Sequence, residues 1–170
     1  MESRFKLFGH PVHPMLIVFP LGLLGTAAIF DAIWLVTRNP QWTALSFYLI
    51  AAGIIGGLLA AIPGFVDFLG IPTGTRAHRI ALFHGAGNVV VVMLFAGSWW
   101  LRQQQLTQPD TLALVLSFGG VALALVTGWL GGELVDRLGV GVDPGAHLNA
   151  PSSLSGRAAT SGPERPRKAA

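Results

Sequence analysis

Four long stretches of the chain contain no charged residue, and they constrain its fold more than any other feature. The stretches lie between Lys6 and Asp31, Arg38 and Asp67, Arg79 and Arg102, and Asp110 and Glu133. About twenty apolar residues in an α-helix span the hydrocarbon core of a bilayer, and every stretch is at least that long. The spacing predicts transmembrane helices over residues 14–37, 43–69, 79–101 and 110–135.

Composition favours an all-α membrane protein over a soluble domain or a barrel. Charged residues are 11% of the chain and hydrophobic residues 52%, whereas soluble proteins average about 25% charged residues. The apolar stretches lack the alternation of a barrel strand, and a helix satisfies its own backbone hydrogen bonds in lipid. We therefore predict a polytopic four-helix bundle over residues 1–142. A disordered basic tail rich in Pro, Gly, Ser and Arg is predicted over 143–170.

Basic residues are distributed unequally about these helices, which predicts their orientation. Arg4, Lys6, Arg76, Arg79 and Arg137 fall on the side of the N-terminus, and Arg38 and Arg102 on the other side. Since cytoplasmic loops are enriched in Lys and Arg, both termini are predicted to face the cytoplasm. The partner that this composition implies is the lipid bilayer, and no basic module typical of nucleic-acid binding is visible. The chain has no cysteine, which excludes disulfides and thiolate metal sites within it.

The two halves of the chain share a weak repeat. The segment VDFLG at 66–70 ends the second predicted helix, and VDRLG at 135–139 ends the fourth. The first and third helices each begin near a histidine-bearing segment. This pattern predicts two repeated helical hairpins related by an axis along the membrane normal, an arrangement known in transporters.

Ionisable side chains are predicted to converge at the end of the bundle that carries the N-terminus. The candidate cofactor-binding residues are His10, His13, Asp67, Arg76, His78, His84, Asn88 and Glu133. Ionisable groups within a bilayer are energetically costly and usually face the bundle interior with a partner, so they indicate function by default. His84 carries most weight, because it lies inside a charge-free stretch with Asn88 one turn away on the same face.

Histidine without cysteine is typical of haem and of borderline divalent metals. His13 and His84 are therefore predicted either as axial ligands of a b-type haem or as ligands of a divalent metal, with His10 and His78 as alternates. Asp67, Arg76 and Glu133 are expected to assist the ligands or bind haem propionates. The close alternative is a His/carboxylate metal site, for which no fixed motif such as H-E-x-x-H is present. Its candidate ligands are His10, His13 and His84 with Asp67 or Glu133.

Structural explanations remain open beside the functional ones. His10 and His13 fit an interfacial role, and His78 fits a solvated loop end. Asp67 and Glu133 fit caps or partners of the nearby arginines. Asp31 lies toward the opposite end, where it is expected to bond near Thr37 or Trp42 or to pair with Arg38.

Three functional hypotheses follow from these residues. The first is a small cytochrome b-like electron-transfer subunit. The second is a transporter or proton-relay subunit whose path is lined by Asp31, Asp67, His84 and Glu133. The third is a structural subunit that docks a soluble redox protein. The sequence assigns no enzymatic reaction, because it contains neither a Gly-rich phosphate loop nor a nucleophile elbow.

Several separated motifs resemble those of one bacterial membrane family. They are HPVHP at 10–14 with Pro20, IPGFVD at 62–67, His84 with Asn88, and GWLGGEL at 128–134. Over about residues 9–143 the chain resembles the family of domain of unknown function 2231. The resemblance implies a four-helix protein of the bacterial inner membrane and no established activity. It also implies an electron-transfer setting with an iron–sulfur or other redox partner, by analogy with relatives that occur together with Rieske-type iron–sulfur domains. Asp136 replaces an aromatic residue frequent in the family, so no role is carried over to it.

Overall fold

The computed structural model describes residues 1–161, and within them four helices are long and apolar enough to cross a membrane. They are α1 (Val12–Thr37), α2 (Pro40–Phe68), α3 (Arg76–Arg102) and α4 (Thr111–Arg137). The predicted all-α class with four transmembrane helices is confirmed. α1 comprises Val12–Leu16 and Val18–Thr37, and α4 ends in a π-helical turn over Glu133–Arg137. Two short strands, β1 (Lys6–Leu7) and β2 (His10–Pro11), precede α1.

Polar caps determine where two of the helices begin, a few residues before the predicted starts at 43 and 79. The Asn39 side chain accepts a hydrogen bond from the backbone N–H of Gln41, and Pro40 occupies the first turn of α2. The Thr75 side chain accepts from the N–H of His78 at the start of α3. Such caps satisfy orphan N–H groups, so a helix extends beyond the apolar run that crosses the lipid.

The helices pack as two antiparallel hairpins, the first formed by α1 and α2 and the second by α3 and α4. Ser46 on α2 donates to the backbone carbonyl of Ala27 on α1, and Ser98 on α3 donates to that of Ala113 on α4, both at 2.7 Å. The two hydrogen bonds occupy corresponding positions, because Ala27 precedes Ser98 by the same separation at which His13 precedes His84. The same helix–helix contact thus occurs in both hairpins. The serine donor lies on the second helix of the first hairpin and on the first helix of the second hairpin.

The apolar core lies in the middle of the bundle. Leu24, Ala27, Ile50, Val91 and Phe95 form one cluster of buried side chains. No residue of 12–23 in α1 is buried, so the bundle is less tightly packed toward one end. We call this end, which holds His13 and His84, the histidine end. The opposite end, which holds Asp31 and Arg102, is the arginine end.

Residues 1–11 form an N-terminal strap across the histidine end. The Met1 amino group donates to the carbonyl of Gly139, and the N–H of Gly141 donates to the carbonyl of Met1, both at 2.8 Å. The turn between β1 and β2 places Phe8 and Gly9 at positive φ. The sequence interpretation did not predict these two strands, because the glycine is the only residue in this segment that indicates a turn.

Part of the C-terminal tail contacts the strap. Lys6 pairs with Asp143 and with Glu2, and these hydrogen bonds raise the pKa of the Lys6 amine above its ordinary value. A 3-10 helix over Ser153–Ser155 lies beside His10, whose Nε2 is 3.3 Å from the Ser153 hydroxyl. The predicted disordered tail begins at 143, and its residues 162–170 lie outside the described part of the chain.

Candidate functional site

The imidazole rings of His13 and His84 lie close together where the two hairpins meet. Their centroids are 6.4 Å apart and their planes are perpendicular. His13 lies in the first turn of α1 and His84 in the third turn of α3, and both side chains are partly buried. The structure therefore brings together the two residues that the sequence predicts as a ligand pair.

A backbone carbonyl of the same hairpin fixes each ring. His13 Nδ1 is 2.8 Å from the carbonyl oxygen of Ala60 on α2, and His84 Nδ1 is 2.8 Å from that of Thr127 on α4. A carbonyl oxygen only accepts, so in both hydrogen bonds Nδ1–H is the donor. In the neutral imidazole this tautomer leaves the lone pair on Nε2. Such an orienting bond from the second ring nitrogen is typical of metal-binding histidines.

Glycines provide the space for both rings. Gly64 follows Ala60 by one helical turn, and a Cβ there would lie 2.7 Å from His13 Nδ1. Gly131 follows Thr127 by one turn, and a Cβ there would lie 3.0 Å from His84 Cε1. Each imidazole thus packs directly against a helix backbone. Small residues favour close packing of transmembrane helices, and these two glycines of α2 and α4 accommodate side chains from α1 and α3.

Asn88 covers one face of His84. Its Nδ2 donates to the His84 carbonyl at 2.9 Å and is 3.3 Å from Nε2 and 3.5 Å from Nδ1. An atom nearly equidistant from both ring nitrogens at this range lies over the ring, so it does not occupy the in-plane lone pair of Nε2. Thr127 Oγ1 donates to Asn88 Oδ1 at 3.0 Å. The corresponding residues of the first hairpin, Ile17 and Ala60, are apolar.

Four other predicted site residues lie apart from this pair or have other partners. Glu133 pairs with Arg76 at 2.6 Å, as the structural explanation predicted. The His78 ring lies against Phe68, with centroids 4.9 Å apart and planes tilted by 35°. His10 contacts the tail. Within the described residues, none of them forms a hydrogen bond, ion pair or ring contact with the imidazoles of His13 and His84.

Asp67 binds the strap. Its carboxylate accepts hydrogen bonds from the Ser3 hydroxyl at 2.8 Å and from the Arg4 N–H at 2.7 Å, and a longer one from the Phe5 N–H. Residues 1–161 contain no group of three or more His, Asp or Glu able to hold a metal ion. The alternative His/carboxylate site is therefore not assembled, because Asp67 and Glu133 are already bound elsewhere.

Asp31 has a partner that the sequence interpretation did not identify. Arg102 donates to both carboxylate oxygens of Asp31, at 2.8 and 2.6 Å, and both side chains are fully buried. The predicted pairing with Arg38 is wrong, because the Arg38 guanidinium lies 4.8 Å from the centroid of Trp34 instead. The repeat contained the missing signal, since Arg102 follows Asp31 by the same separation at which His84 follows His13.

The apolar cluster lies between the histidine end and the arginine end of the bundle. Leu24 lies between His13 and Asp31 along α1, and Phe95 lies between His84 and Arg102 along α3. The polar path that the transporter hypothesis requires is therefore interrupted by buried apolar side chains in this conformation.

The helices and the inward-facing ionisable residues define an integral membrane protein of four transmembrane helices. The chain matches the family described as "Predicted membrane protein (DUF2231)" over residues 9–144, and it belongs to that family. The resemblance seen in its motifs is confirmed. No curated protein and no solved structure matches the chain.

Proposed function

We propose that this protein is a small electron-transfer subunit that binds a b-type haem through His13 and His84. The observation that carries the proposal is the separation of 6.4 Å between the two ring centroids. An imidazole nitrogen binds a metal ion at about 2.0 Å, so two rings whose nitrogens both point at one ion have centres roughly 6–6.5 Å apart. The orientation of both rings through Nδ1 supports the same assignment.

The donor set fits haem better than a bare divalent cation. Two neutral imidazoles leave such a cation short of protein ligands, and the described residues supply no third ligand near the pair. A porphyrin would supply four nitrogens itself, so His13 and His84 would be sufficient to hold the group. When bound, the haem would provide reversible one-electron chemistry. His13 and His84 would hold the group between the apolar helices.

We further propose that the protein lies in a bacterial inner membrane with the histidine end toward the cytoplasm. Arg102 is buried against Asp31 and so does not mark a loop, which leaves Arg38 as the basic residue of the arginine end among residues 1–161. Arg79 and Arg137 are exposed at the histidine end. This distribution follows the positive-inside rule. A redox partner protein would then approach the surface formed by the strap.

An absorption spectrum of the purified protein, expressed with added haem, tests the proposal. We expect a Soret band, and α and β bands that sharpen on reduction with dithionite. His13→Ala and His84→Ala should each lose the bound haem, whereas His10→Ala and His78→Ala, the matched controls, should retain it. A featureless visible spectrum, or unchanged haem content in both ligand variants, would overturn the proposal.

A further inference from the structure

The ion pair at the arginine end is distinctive in how it connects the bundle. Among the described residues of the four helices, it is the hydrogen-bonded side-chain contact that joins the first hairpin to the second. The other side-chain hydrogen bonds of these helices remain within one hairpin, including those of Ser46, Ser98 and both histidines. The pair is therefore a polar connection between two hairpins that otherwise meet through apolar contacts.

The pair is also held firmly. Its two parallel hydrogen bonds fix the guanidinium and the carboxylate in one plane. Arg102 additionally donates to Ser98 and Ser117 of its own hairpin, at 3.2 and 3.3 Å. Because both charges are fully buried at membrane depth, separating them would leave each without a partner in a medium that solvates it poorly.

We propose that Asp31 and Arg102 are positioning residues that set the distance between His13 and His84. Each pair has one member on α1 and one on α3. Asp31 follows His13 along α1 by the same number of residues by which Arg102 follows His84 along α3. At 1.5 Å per residue the two pairs are about 27 Å apart on both helices. Two long helices fixed at the arginine end in one relative orientation present their histidines in one relative orientation at the histidine end.

Packing at the histidine end does not by itself fix this distance. α1 has no fully buried residue before Leu24. The hydrogen bond that holds its first turn, from His13 to Ala60, stays within the first hairpin and does not tie α1 to α3. The strap is the competing connection, because Met1 binds Gly139 while Ser3 binds Asp67. The inference concerns the site of the proposed function, but it holds for the two helices whether or not haem is bound.

The absence of cysteine permits a direct measurement of this distance. Spin labels are placed at Val18→Cys and Val89→Cys, which occupy corresponding positions in α1 and α3, near the histidines. Both side chains are 59% exposed, so labels there point away from the core. Pulsed electron paramagnetic resonance on the haem-free protein in lipid nanodiscs then gives the distribution of distances between the labels.

In the labelled parent we expect one narrow distribution. Asp31→Asn and Arg102→Gln should each broaden it and shift it to longer distances, because the unpaired partner must move toward water at the arginine end. The charge-exchanged double variant Asp31→Arg/Arg102→Asp should return the distribution toward that of the parent, since the two positions correspond. Ser46→Ala, which removes a buried hydrogen bond within the first hairpin, should leave it unchanged.

An unchanged distribution in both single variants would overturn the inference, as would a broad one in the exchanged variant. A shift caused by Asp67→Asn instead of Asp31→Asn would assign the spacing to the strap and would also overturn it. These outcomes are independent of haem. A protein that binds no haem yet shows the expected shifts would reject the proposed function and retain the inference.

Discussion

Gly64 and Gly131 occupy corresponding positions in the two hairpins, and each provides the space against which a histidine ring packs. Each follows by one turn the residue whose carbonyl binds that same ring. The space is tighter at Gly64, where a Cβ would lie 2.7 Å from the His13 ring, than at Gly131, where the nearest atom of His84 would be 3.0 Å away. The two glycines therefore predict a graded response to added volume.

Gly64→Ala should reduce bound haem strongly, and Gly131→Ala should reduce it less. The added methyl group must displace an imidazole that its Nδ1 hydrogen bond holds in place, and the displacement is larger in the first hairpin. Haem absorbance per protein measures the effect. Gly128→Ala is the matched control, because a Cβ there meets nothing within 4 Å. It should retain haem and gain up to about 1 kcal/mol in helix propensity. Full haem binding by Gly64→Ala would contradict the predicted ring position.

Asn88 and Thr127 make the second hairpin more polar than the first. Replacing them with their first-hairpin equivalents, Asn88→Ile and Thr127→Ala, tests whether the polar pair serves binding or stability. Thr127→Ala should keep haem, because the carbonyl that binds His84 belongs to the backbone, and should lose about 0.6 kcal/mol of stability. Asn88→Ile should shift the spectrum, because the amide no longer covers His84. A loss of haem in Thr127→Ala together with normal stability would contradict this division.

The part of the architecture that lipid imposes could be predicted from the sequence. Charge-free runs predicted all four helices, because a chain in hydrocarbon must form its own backbone hydrogen bonds. The starts of α2 and α3 were placed late because Asn39 and Thr75 extend helices past the apolar run. The strap could not be anticipated, since mainly its backbone groups make the contacts, and they bind the ends of helices that are distant in sequence.

The sequence singled out His13 and His84 but not the geometry in which the structure places them. His13 and His84 stood out because histidine is costly in lipid. Their Nδ1 partners are backbone carbonyls, which leave no mark in the sequence. Asp31 was assigned a neighbour in sequence because Arg102 is far along the chain. The internal repeat, extended from the histidines to Asp31, would have identified Arg102.

Ser46 and Ser98 should differ in their contribution to stability although both donate to a carbonyl across a hairpin. Ser46 makes one such hydrogen bond, and Ser46→Ala should destabilise the protein by about 0.6 kcal/mol. Ser98 also contacts Ser117 and accepts from Arg102. Ser98→Ala should therefore cost more, about 1–2 kcal/mol, because it leaves a buried guanidinium N–H without a partner. Unfolding in mixed detergent with increasing dodecyl sulfate measures both. Equal losses would show that Ser98 does not support Arg102.

Asp67 should control the docking of the N-terminal strap. Asp67→Asn removes the negative charge and one of the two accepting oxygens, and it keeps one amide oxygen that still accepts. Each charge-assisted hydrogen bond that is lost should weaken docking by about 1.5 kcal/mol or more. We expect faster amide hydrogen exchange over residues 3–7, measured by mass spectrometry in nanodiscs. Asp136→Asn is the matched control, because Asp136 ends the second hairpin in the repeated motif and is exposed. Equal exchange in the two variants would show that the strap is held by its Met1 contacts and not by Asp67.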